Sequence, residues 1–353
     1  MKRFTALLCA VLLCVNAIPW PGMLTGTLIP FPSPVAANDP ASYDNFSQFE
    51  KHMEKWPVLV KAGLNAHASR KDKGTYIIPG MERTTSLNDD GVAETCVEMV
   101  PQGMCLTDEY MLITAYCHDH HHNSVMYVLD RKSHKYLKTV VLEGKPHAGS
   151  VSWDPVWRHV WLSTGSTGKA GASYLRIRDI DKYNFKKTGK PLPFTYTAHL
   201  SELTRNSFMT ATKDGLYAGT FTLNEPTMRL QKFTFSTAGH LASNKGGKGA
   251  EVAESLIIGQ QCQGIAFSDN YIFMTFSYGP YIPGTLCIYP RNAARLLKSD
   301  AIKTYTLPPC LEQPWVDGSD LYLIWESPAR CFRNEQITHV DRVIALDINK
   351  LVN

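Results

Sequence analysis

The sequence predicts an all-β protein, a single five-bladed β-propeller closed by a strand from the N-terminal segment. The main observation is a frame of Gly, Asp and alternating apolar residues that recurs five times. Each copy is followed by further strand-like runs, and units of this length with four short strands are typical of propeller blades. A β-sandwich with chance repetition is the alternative. The aspartates of the five copies, separated by 46, 60, 55 and 51 residues, are Asp108, Asp154, Asp214, Asp269 and Asp320.

The N-terminus has the pattern of an export signal. Lys2 and Arg3 precede an apolar run, residues 4–15, that is too short to cross a bilayer. Small residues at positions 35–37 offer a cleavage site before Asn38. We therefore predict a signal peptide over residues 1–37 and a secreted, cell-surface or periplasmic location, with an uncleaved anchor as the alternative. No later segment is predicted to span a membrane.

The rest of the chain divides into a lead-in and the propeller. Residues 38–73 are predicted to be an irregular or helical lead-in that lies against the outside of the propeller, which itself covers residues 74–353. The fifth repeat stops at the C-terminus without a fourth strand. A strand from residues 75–79 or 95–99 is therefore expected to complete the last blade, because closure removes open sheet edges.

The distribution of charge along the chain bears on its binding partners. The net charge of +4 is spread along the chain without a basic cluster, so no nucleic-acid partner is predicted. A monomer is expected.

Seven cysteines follow the signal, an odd number that leaves at least one thiol unpaired. Cys310 and Cys331 flank the fifth blade at one face, and we predict a disulfide between them. Cys117, Cys262 and Cys287 are rival partners.

Polar residues recur where the chain enters the first strand of each blade. In a propeller these entrances and the loops between second and third strands converge on one mouth of the channel, and small-molecule sites combine a concave mouth with a few polar groups. The alternative is that these side chains bond one another and channel water. The predicted binding residues are Gln102, His147, Arg205, Asn206, Gln261, Gln263 and Gln313.

Two further features could support chemistry at this mouth. Glu326 follows a predicted second strand and could act as a general acid or base if burial raised its pKa, although pairing with Arg330 is the alternative. In the run from Cys117 to Asn123, the alternating His118, His120 and His122 are candidate ligands for zinc or copper. A solvated, histidine-rich loop tip is the alternative for this run.

Residues 123–155 resemble the secreted bacterial propellers of the YncE-like and gluconolactonase-like groups. This resemblance covers most of the mature chain and implies the propeller fold. Lactonase-like relatives hold a divalent cation with Glu, Asn and Asp side chains at the channel. The resemblance therefore makes a divalent cation the candidate cofactor, with Asn206 and Glu326 as the available ligands.

A second, weaker resemblance is to the five-bladed glutaminyl-peptide cyclotransferases. It is carried by Leu162–Gly165 (LSTG) and Ser173–Arg176 (SYLR). That family has a proton-transferring glutamate just before the Ser-Thr-Gly, where this chain has Leu162. Glu326 occupies the matching place in the fifth blade, so the resemblance implies a relocated carboxylate there.

The sequence thus favours a non-catalytic exported protein that binds a small molecule, peptide or surface group at the channel mouth. The competing hypothesis is an enzyme, either a cyclotransferase-like protein or a cation-dependent lactonase-like protein, with Glu326 moving the proton. A structural or adhesive surface protein is a third possibility.

Overall fold

The computed structural model describes residues 41–333 and 338–353, and in them the chain forms the predicted five-bladed propeller. The predicted signal peptide, residues 1–37, lies outside the described residues. Three strands precede the repeats: β1 (Tyr76–Ile77), β2 (Thr84–Leu87) and β3 (Ala93–Cys96). None of the described helices is long and apolar enough to cross a membrane.

Each blade is an antiparallel sheet whose strands follow chain order. Blade 1 contains β4 (Met99–Leu106), β5 (Tyr110–Cys117), β6 (Val125–Asp130) and β7 (Tyr136–Val141). Blade 2 contains β8 (Val151–Asp154), β9 (His159–Ser166), β10 (Lys169–Arg176) and β11 (Tyr196–His199). Blade 3 contains β12 (Phe208–Thr212), β13 (Gly215–Gly219), β14 (Thr227–Phe233) and β15 (Val252–Gly259), with the short β19 (Arg295–Leu296) added parallel to β15. Blade 4 contains β16 (Cys262–Phe267), β17 (Tyr271–Phe276), β18 (Gly284–Pro290) and β20 (Lys303–Leu307). Blade 5 contains β21 (Leu311–Asp317), β22 (Asp320–Trp325) and β23 (Arg342–Asp347).

Burial falls from the inner strands of each blade to the outer edge. Every residue of β13 and β22 is buried, because neighbouring blades cover both faces of these strands. The outer strands β7 and β15 are largely exposed or half-buried. Stacked apolar faces therefore form the core, as expected for units that cannot bury their own faces alone.

The N-terminal strand closes the ring. In β1, Tyr76 lies opposite Val343 and Ile77 opposite Arg342, so β1 becomes the fourth strand of blade 5. This confirms the prediction that residues 75–79 complete the last blade. Residues 95–99 do not complete it, because β3 pairs with β2 in a separate hairpin. That hairpin lies beside blade 1, where Ser86 Oγ donates to the Asn123 carbonyl at 2.7 Å.

One third strand differs from the repeat frame. In blade 2 only two residues join β9 to β10, so this third strand begins early and ends at Arg176. The chain then turns into α2 (Ile177–Lys182), in which Ile180 is fully buried. Arg176 Nε donates to Asp179 Oδ2 at 2.7 Å across this turn.

The lead-in is helical and packs against the outside of the propeller. It contains α1 (Phe46–Met53), a π-helical segment (Leu59–Leu64) and a 3-10 turn (Lys71–Gly74). Phe49, Met53 and Leu59 are fully buried in one apolar cluster with side chains of blades 4 and 5. The other helices are α3 (Phe185–Thr188), α4 (Ile348–Val352) and a 3-10 turn (Lys298–Asp300).

Close approach at the channel axis explains the glycine in the repeat frame. A Cβ atom on Gly103 would lie 2.6 Å from Gln313 Oε1 and 2.7 Å from the Val151 amide nitrogen. A Cβ atom on Gly264 would likewise collide with Pro314 Cδ. Only glycine lets the first strands of adjacent blades approach this closely.

The side-chain amide of Gln313 joins three blades at this point. Its Oε1 accepts hydrogen bonds from the amides of Met104 (3.1 Å) in blade 1 and Val151 (3.0 Å) in blade 2. Its Nε2 donates to the Val151 carbonyl at 2.8 Å. Gln313 is fully buried, so this amide is used inside the protein.

We predict that Gln313→Met lowers the free energy of unfolding by about 3 kcal/mol or more, because methionine keeps the shape but leaves three buried backbone groups without their partner. Urea unfolding followed by circular dichroism measures the change. Gln263→Met is the matched control, since Gln263 is half-buried and makes one long bond of 3.5 Å to the Ser277 carbonyl. We expect less than about 1 kcal/mol there. Equal losses in the two variants would contradict a structural role for Gln313.

Candidate functional site

Bulges in three first strands turn polar side chains towards the channel. The register shifts between Pro101 and Met104 in β4, between Cys262 and Gly264 in β16, and between Leu311 and Pro314 in β21. A bulge of this kind re-aims a side chain that regular pleating would send elsewhere. Polar residues that lie in these bulges are Gln102, Gln263, Glu312 and Gln313.

Two of the predicted site residues meet at the channel mouth. Gln102 Nε2, on β4, donates to Glu326 Oε2 at 2.9 Å, directly after β22. The backbone amide of Glu326 donates to the Cys310 carbonyl at 2.9 Å. The Glu326 side chain is half-buried, whereas Gln102 is only 2% exposed. The amide therefore orients a carboxylate that solvent can reach.

The backbone beneath Glu326 is strained. Cys310 has a φ of +63°, in the left-handed region, and Gln261 has the same value in blade 4. The Gln261 carbonyl also accepts from Ser277 (3.1 Å), just as that of Cys310 accepts from Glu326. A left-handed conformation costs a non-glycine residue about 1 kcal/mol or more. Such strain clusters at functional sites, and here it fixes the segment that presents Glu326.

A second carboxyl group lies close to Glu326. Glu312, on β21, is 3% exposed, and burial together with the nearby Glu326 raises its pKa well above the usual range. Burial also raises the pKa of Glu326, to about 7, while the hydrogen bond from Gln102 acts in the opposite direction. Two such groups titrate as a pair. Of the two, Glu326 exchanges its proton near neutral pH.

This carboxyl pair has no basic partner within the described part of the chain. Arg330 Nη1 lies 3.0 Å from Glu98 Oε1, and Arg333 Nη1 lies 2.9 Å from Glu82 Oε1. The alternative that Glu326 pairs with Arg330 is therefore wrong. Among the described residues, neither Glu312 nor Glu326 forms an ion pair. Buried carboxyl groups are seldom left without such compensation.

Two rings complete the mouth. The Tyr116 and His147 ring centroids are 4.2 Å apart. His147 is exposed, and desolvation by its neighbours, with smaller contributions from Arg205 and His120, lowers its pKa to about 4. His147 is thus neutral at neutral pH. Burial first, and the nearby glutamates next, raise the pKa of the Tyr116 hydroxyl well above its usual range.

The other predicted binding residues bond mainly within the blades. Asn206 is buried, and its Nδ2 donates to the Gly171 carbonyl at 2.8 Å, while its Oδ1 has no hydrogen-bond partner among the residues that the structure describes. Arg205 is exposed and donates to Thr167 Oγ1 at 2.5 Å. Gln261 and Gln263 are half-buried. Of the seven predicted binding residues, Gln102 donates directly to Glu326 and His147 lies against Tyr116.

The histidine run does not bring its three alternating side chains together. His118 Nδ1 lies 3.4 Å from Asp119 Oδ1, and the His120 ring stacks on Tyr116 at 5.7 Å between centroids. His122 turns the other way, with its Nδ1 3.4 Å from Cys117 Sγ. The predicted set of His118, His120 and His122 is therefore not assembled in this structure.

All seven cysteines that the structure describes are free thiols, so the predicted Cys310–Cys331 disulfide is not formed. Cys310 is buried beneath the mouth and Cys331 is exposed beside it. Burial, followed by the charge of Glu326, raises the pKa of the Cys310 thiol. Cys310 is therefore a neutral neighbour of the carboxyl pair.

Glu312, which lies beside Gln313 at the entrance of blade 5, was not among the predicted binding residues, and sequence analysis missed Tyr116. Glu312 is the acidic residue directly before Gln313 in β21, and its charge was the available signal. Tyr116 lies near the end of β5, the second strand of blade 1. The repeat frame brings the ends of second strands to the same face as the entrances.

The opposite end of the channel holds a cavity of about 800 Å³ lined by the turns between first and second strands. Trp153 and Trp315 contribute to its wall. Two of its charged side chains have partners: Arg131 Nη2 lies 2.5 Å from Asp317 Oδ2, and Arg291 lies over the Phe267 ring at 4.4 Å.

Comparison with known proteins finds propeller-like structures and no specific family. No family model matches the chain, and no curated protein matches it. A chain of a nidogen/laminin complex has a TM-score of 0.39 and 11% identity over 73% of this chain and 81% of its own length. A Thermus thermophilus protein described as an oxidoreductase (glucose dehydrogenase) has a TM-score of 0.41 and 12% identity over 77% of this chain and 95% of its own. The RRP9 WD40 repeats have a TM-score of 0.40 and 8% identity over 77% and 99%. The YncE-like and cyclotransferase resemblances stay predictions.

We predict that Glu326→Gln stabilises the protein at high pH. The pKa of Glu326 is raised from 4.5 to about 7, so the folded state binds the proton more tightly than the unfolded state. The resulting stability is fully present below pH 4.5 and is lost as the pH rises to about 7. The neutral variant avoids this loss and keeps an acceptor for Gln102. We expect its advantage over wild type to grow by about 3 kcal/mol between pH 4.5 and pH 8.

Urea unfolding at several pH values measures this difference. Glu225→Gln is the control, because Glu225 is an exposed carboxylate on the loop between β13 and β14. Its difference from wild type should not change with pH. A Glu326→Gln difference that is equally flat would show that burial does not perturb this carboxyl group.

Proposed function

We propose that the protein is an exported binding protein that holds a small organic amine at the channel mouth, either a free amine or the N-terminal amino group of a peptide. One observation supports this above all others. Glu312, which is buried, and Glu326, which is half-buried, form a carboxyl pair without a basic partner among the described residues. A cationic ligand would supply the missing charge.

The chemistry of an ammonium group suits this pair. An ammonium group has three N–H donors and no acceptor. An ionised carboxylate has the complementary set, since its two oxygens accept hydrogen bonds and donate none. Taking a carboxylate out of water costs several kcal/mol unless a partner charge compensates for it. A bound amine compensates for both the charge and the lost hydrogen bonds. Below about pH 7, binding of the amine therefore releases the proton that Glu326 carries.

An apolar wall beside the carboxyl pair favours an amine that carries a hydrophobic group. Val100, Tyr116 and Ala329 form a small buried cluster, against which Phe332 packs. Aromatic faces attract cations as well as apolar groups. An amine with an aromatic or branched aliphatic substituent can therefore contact both the charged side and the apolar side of the mouth.

The second candidate is an enzyme in which Glu326 moves a proton, and the pKa of about 7 is the observation that favours it. A general acid or base works best when its pKa lies near the working pH. The cyclotransferase resemblance adds a substrate class, since a glutaminyl peptide presents an N-terminal amine. Turnover of glutaminyl peptides, or of small lactones with calcium, that is lost in Glu326→Gln would favour the enzyme.

We predict that wild-type protein binds phenethylamine and does not measurably bind phenethyl alcohol, its neutral analogue. Binding should strengthen as the pH rises through about 7, because Glu326 becomes ionised while the amine stays charged. The affinity at pH 6 should therefore be about tenfold lower than the affinity at pH 8. Isothermal titration calorimetry at pH 6 and pH 8 measures the change.

Matched variants locate the site. Glu326→Gln should weaken phenethylamine binding at least tenfold at pH 8, a loss of about 1.4 kcal/mol, whereas Glu225→Gln should leave it unchanged. Equal binding of the amine and the alcohol would contradict recognition by charge. Amine binding that survives both Glu326→Gln and Glu312→Gln would place the ligand elsewhere.

A further inference from the structure

A cluster of metal-binding side chains lies outside the carboxyl pair. Cys96 ends β3, Cys117 ends β5, and His122 lies in the loop that follows β5. One ligand atom from each of these three residues lies within 4.8 Å of the other two. Two thiols and an imidazole are the ligand types that zinc prefers.

The spacing of these atoms suits a tetrahedral ion. Cys117 Sγ lies 3.4 Å from His122 Nδ1. Zinc–sulfur and zinc–nitrogen bonds of about 2.3 and 2.1 Å at a tetrahedral angle place the two ligand atoms about 3.6 Å apart. An ion can therefore enter between sulfur and nitrogen with little rearrangement.

Both sulfurs lie in buried positions, each at the end of a strand. Zinc binds a cysteine as its thiolate. Cys96 and Cys117 are 1% and 2% exposed, so bulk water is largely kept from both sulfurs.

A carboxylate holds the far side of the histidine ring. His122 Nε2 lies 3.0 Å from Glu94 Oε1, on the side opposite the thiols. Zinc-binding histidines commonly place their second nitrogen against a carboxylate, which fixes the ring and makes the metal-facing nitrogen a better ligand. The His122 side chain is 13% exposed, so the cluster is close enough to the surface for an ion to enter.

We propose that Cys96, Cys117 and His122 bind one Zn²⁺ ion, with Glu94 as the positioning residue and a fourth coordination position open to water. The ion joins the β2–β3 hairpin to the loop between β5 and β6. That loop also carries His120, whose ring stacks on Tyr116 at the channel mouth. Zinc binding therefore stabilises one wall of the mouth without contacting the carboxyl pair.

The test uses the folded, reduced full-length chain, freed of metal and titrated with Zn²⁺. Native mass spectrometry should show one ion per chain. Co²⁺ in place of zinc should give the near-ultraviolet absorption that reports sulfur-to-cobalt charge transfer. Cys117→Ser and Cys96→Ser should abolish both signals, His122→Ala should weaken zinc binding at least tenfold, and Glu94→Gln should weaken it about tenfold.

Two control variants separate this site from other cysteines and histidines. Cys287→Ser removes a buried thiol of blade 4, and His118→Ala removes a histidine of the same loop that faces Asp119. Both should bind zinc as wild type does. Substoichiometric zinc in the folded, reduced protein would overturn the proposal, and so would zinc retained by Cys117→Ser. A Cys96–Cys117 disulfide in protein recovered from its native compartment would also overturn it.

Discussion

The side-chain amide of Gln313 holds blade 5 to blades 1 and 2 at the channel axis, and the rest of the mouth depends on that contact. Gly103 permits it, because any side chain there would collide with the amide. Once this contact holds the first strands in place, the neighbouring residues in those strands are held in place too. Glu312 precedes Gln313 in β21, and Gln102 lies beside Gly103 in β4. The position of the carboxyl pair therefore follows from how the blades are joined.

The carboxyl pair works against stability, which is the physical reason to assign it a function. Burial of Glu312 and Glu326 without a basic partner among the described residues disfavours the ionised folded state. The left-handed backbone at Cys310 adds to that cost. The blades and the helical lead-in bury enough apolar surface to tolerate both. Carboxyl groups without a basic partner stay available to a ligand. A cationic ligand would compensate for the charge of these groups.

Much of the fold could be predicted from the sequence, because each blade repeats a local pattern of turn and alternating strand. The closing strand was predictable for the same reason, since the fifth repeat lacks one. Contacts between blades were harder to predict from the sequence. The role of Gln313 depends on bulges that shift register in two first strands. The cysteine–histidine cluster depends on a hairpin that the repeat frame does not include. The sequence predicted Arg330 as the alternative partner of Glu326, but Glu326 accepts from Gln102, and Arg330 pairs with Glu98.

The titration of Glu326 itself tests the central claim most directly. Protein labelled with carbon-13 at the glutamate carboxyl groups gives one resonance per glutamate, and the resonance absent from Glu326→Gln belongs to Glu326. We predict that this resonance titrates with a midpoint of about 7, because burial beside Glu312 opposes ionisation. A midpoint near the ordinary glutamate value of about 4.3 would contradict the account, since the mouth would then hold an ordinary solvated carboxylate.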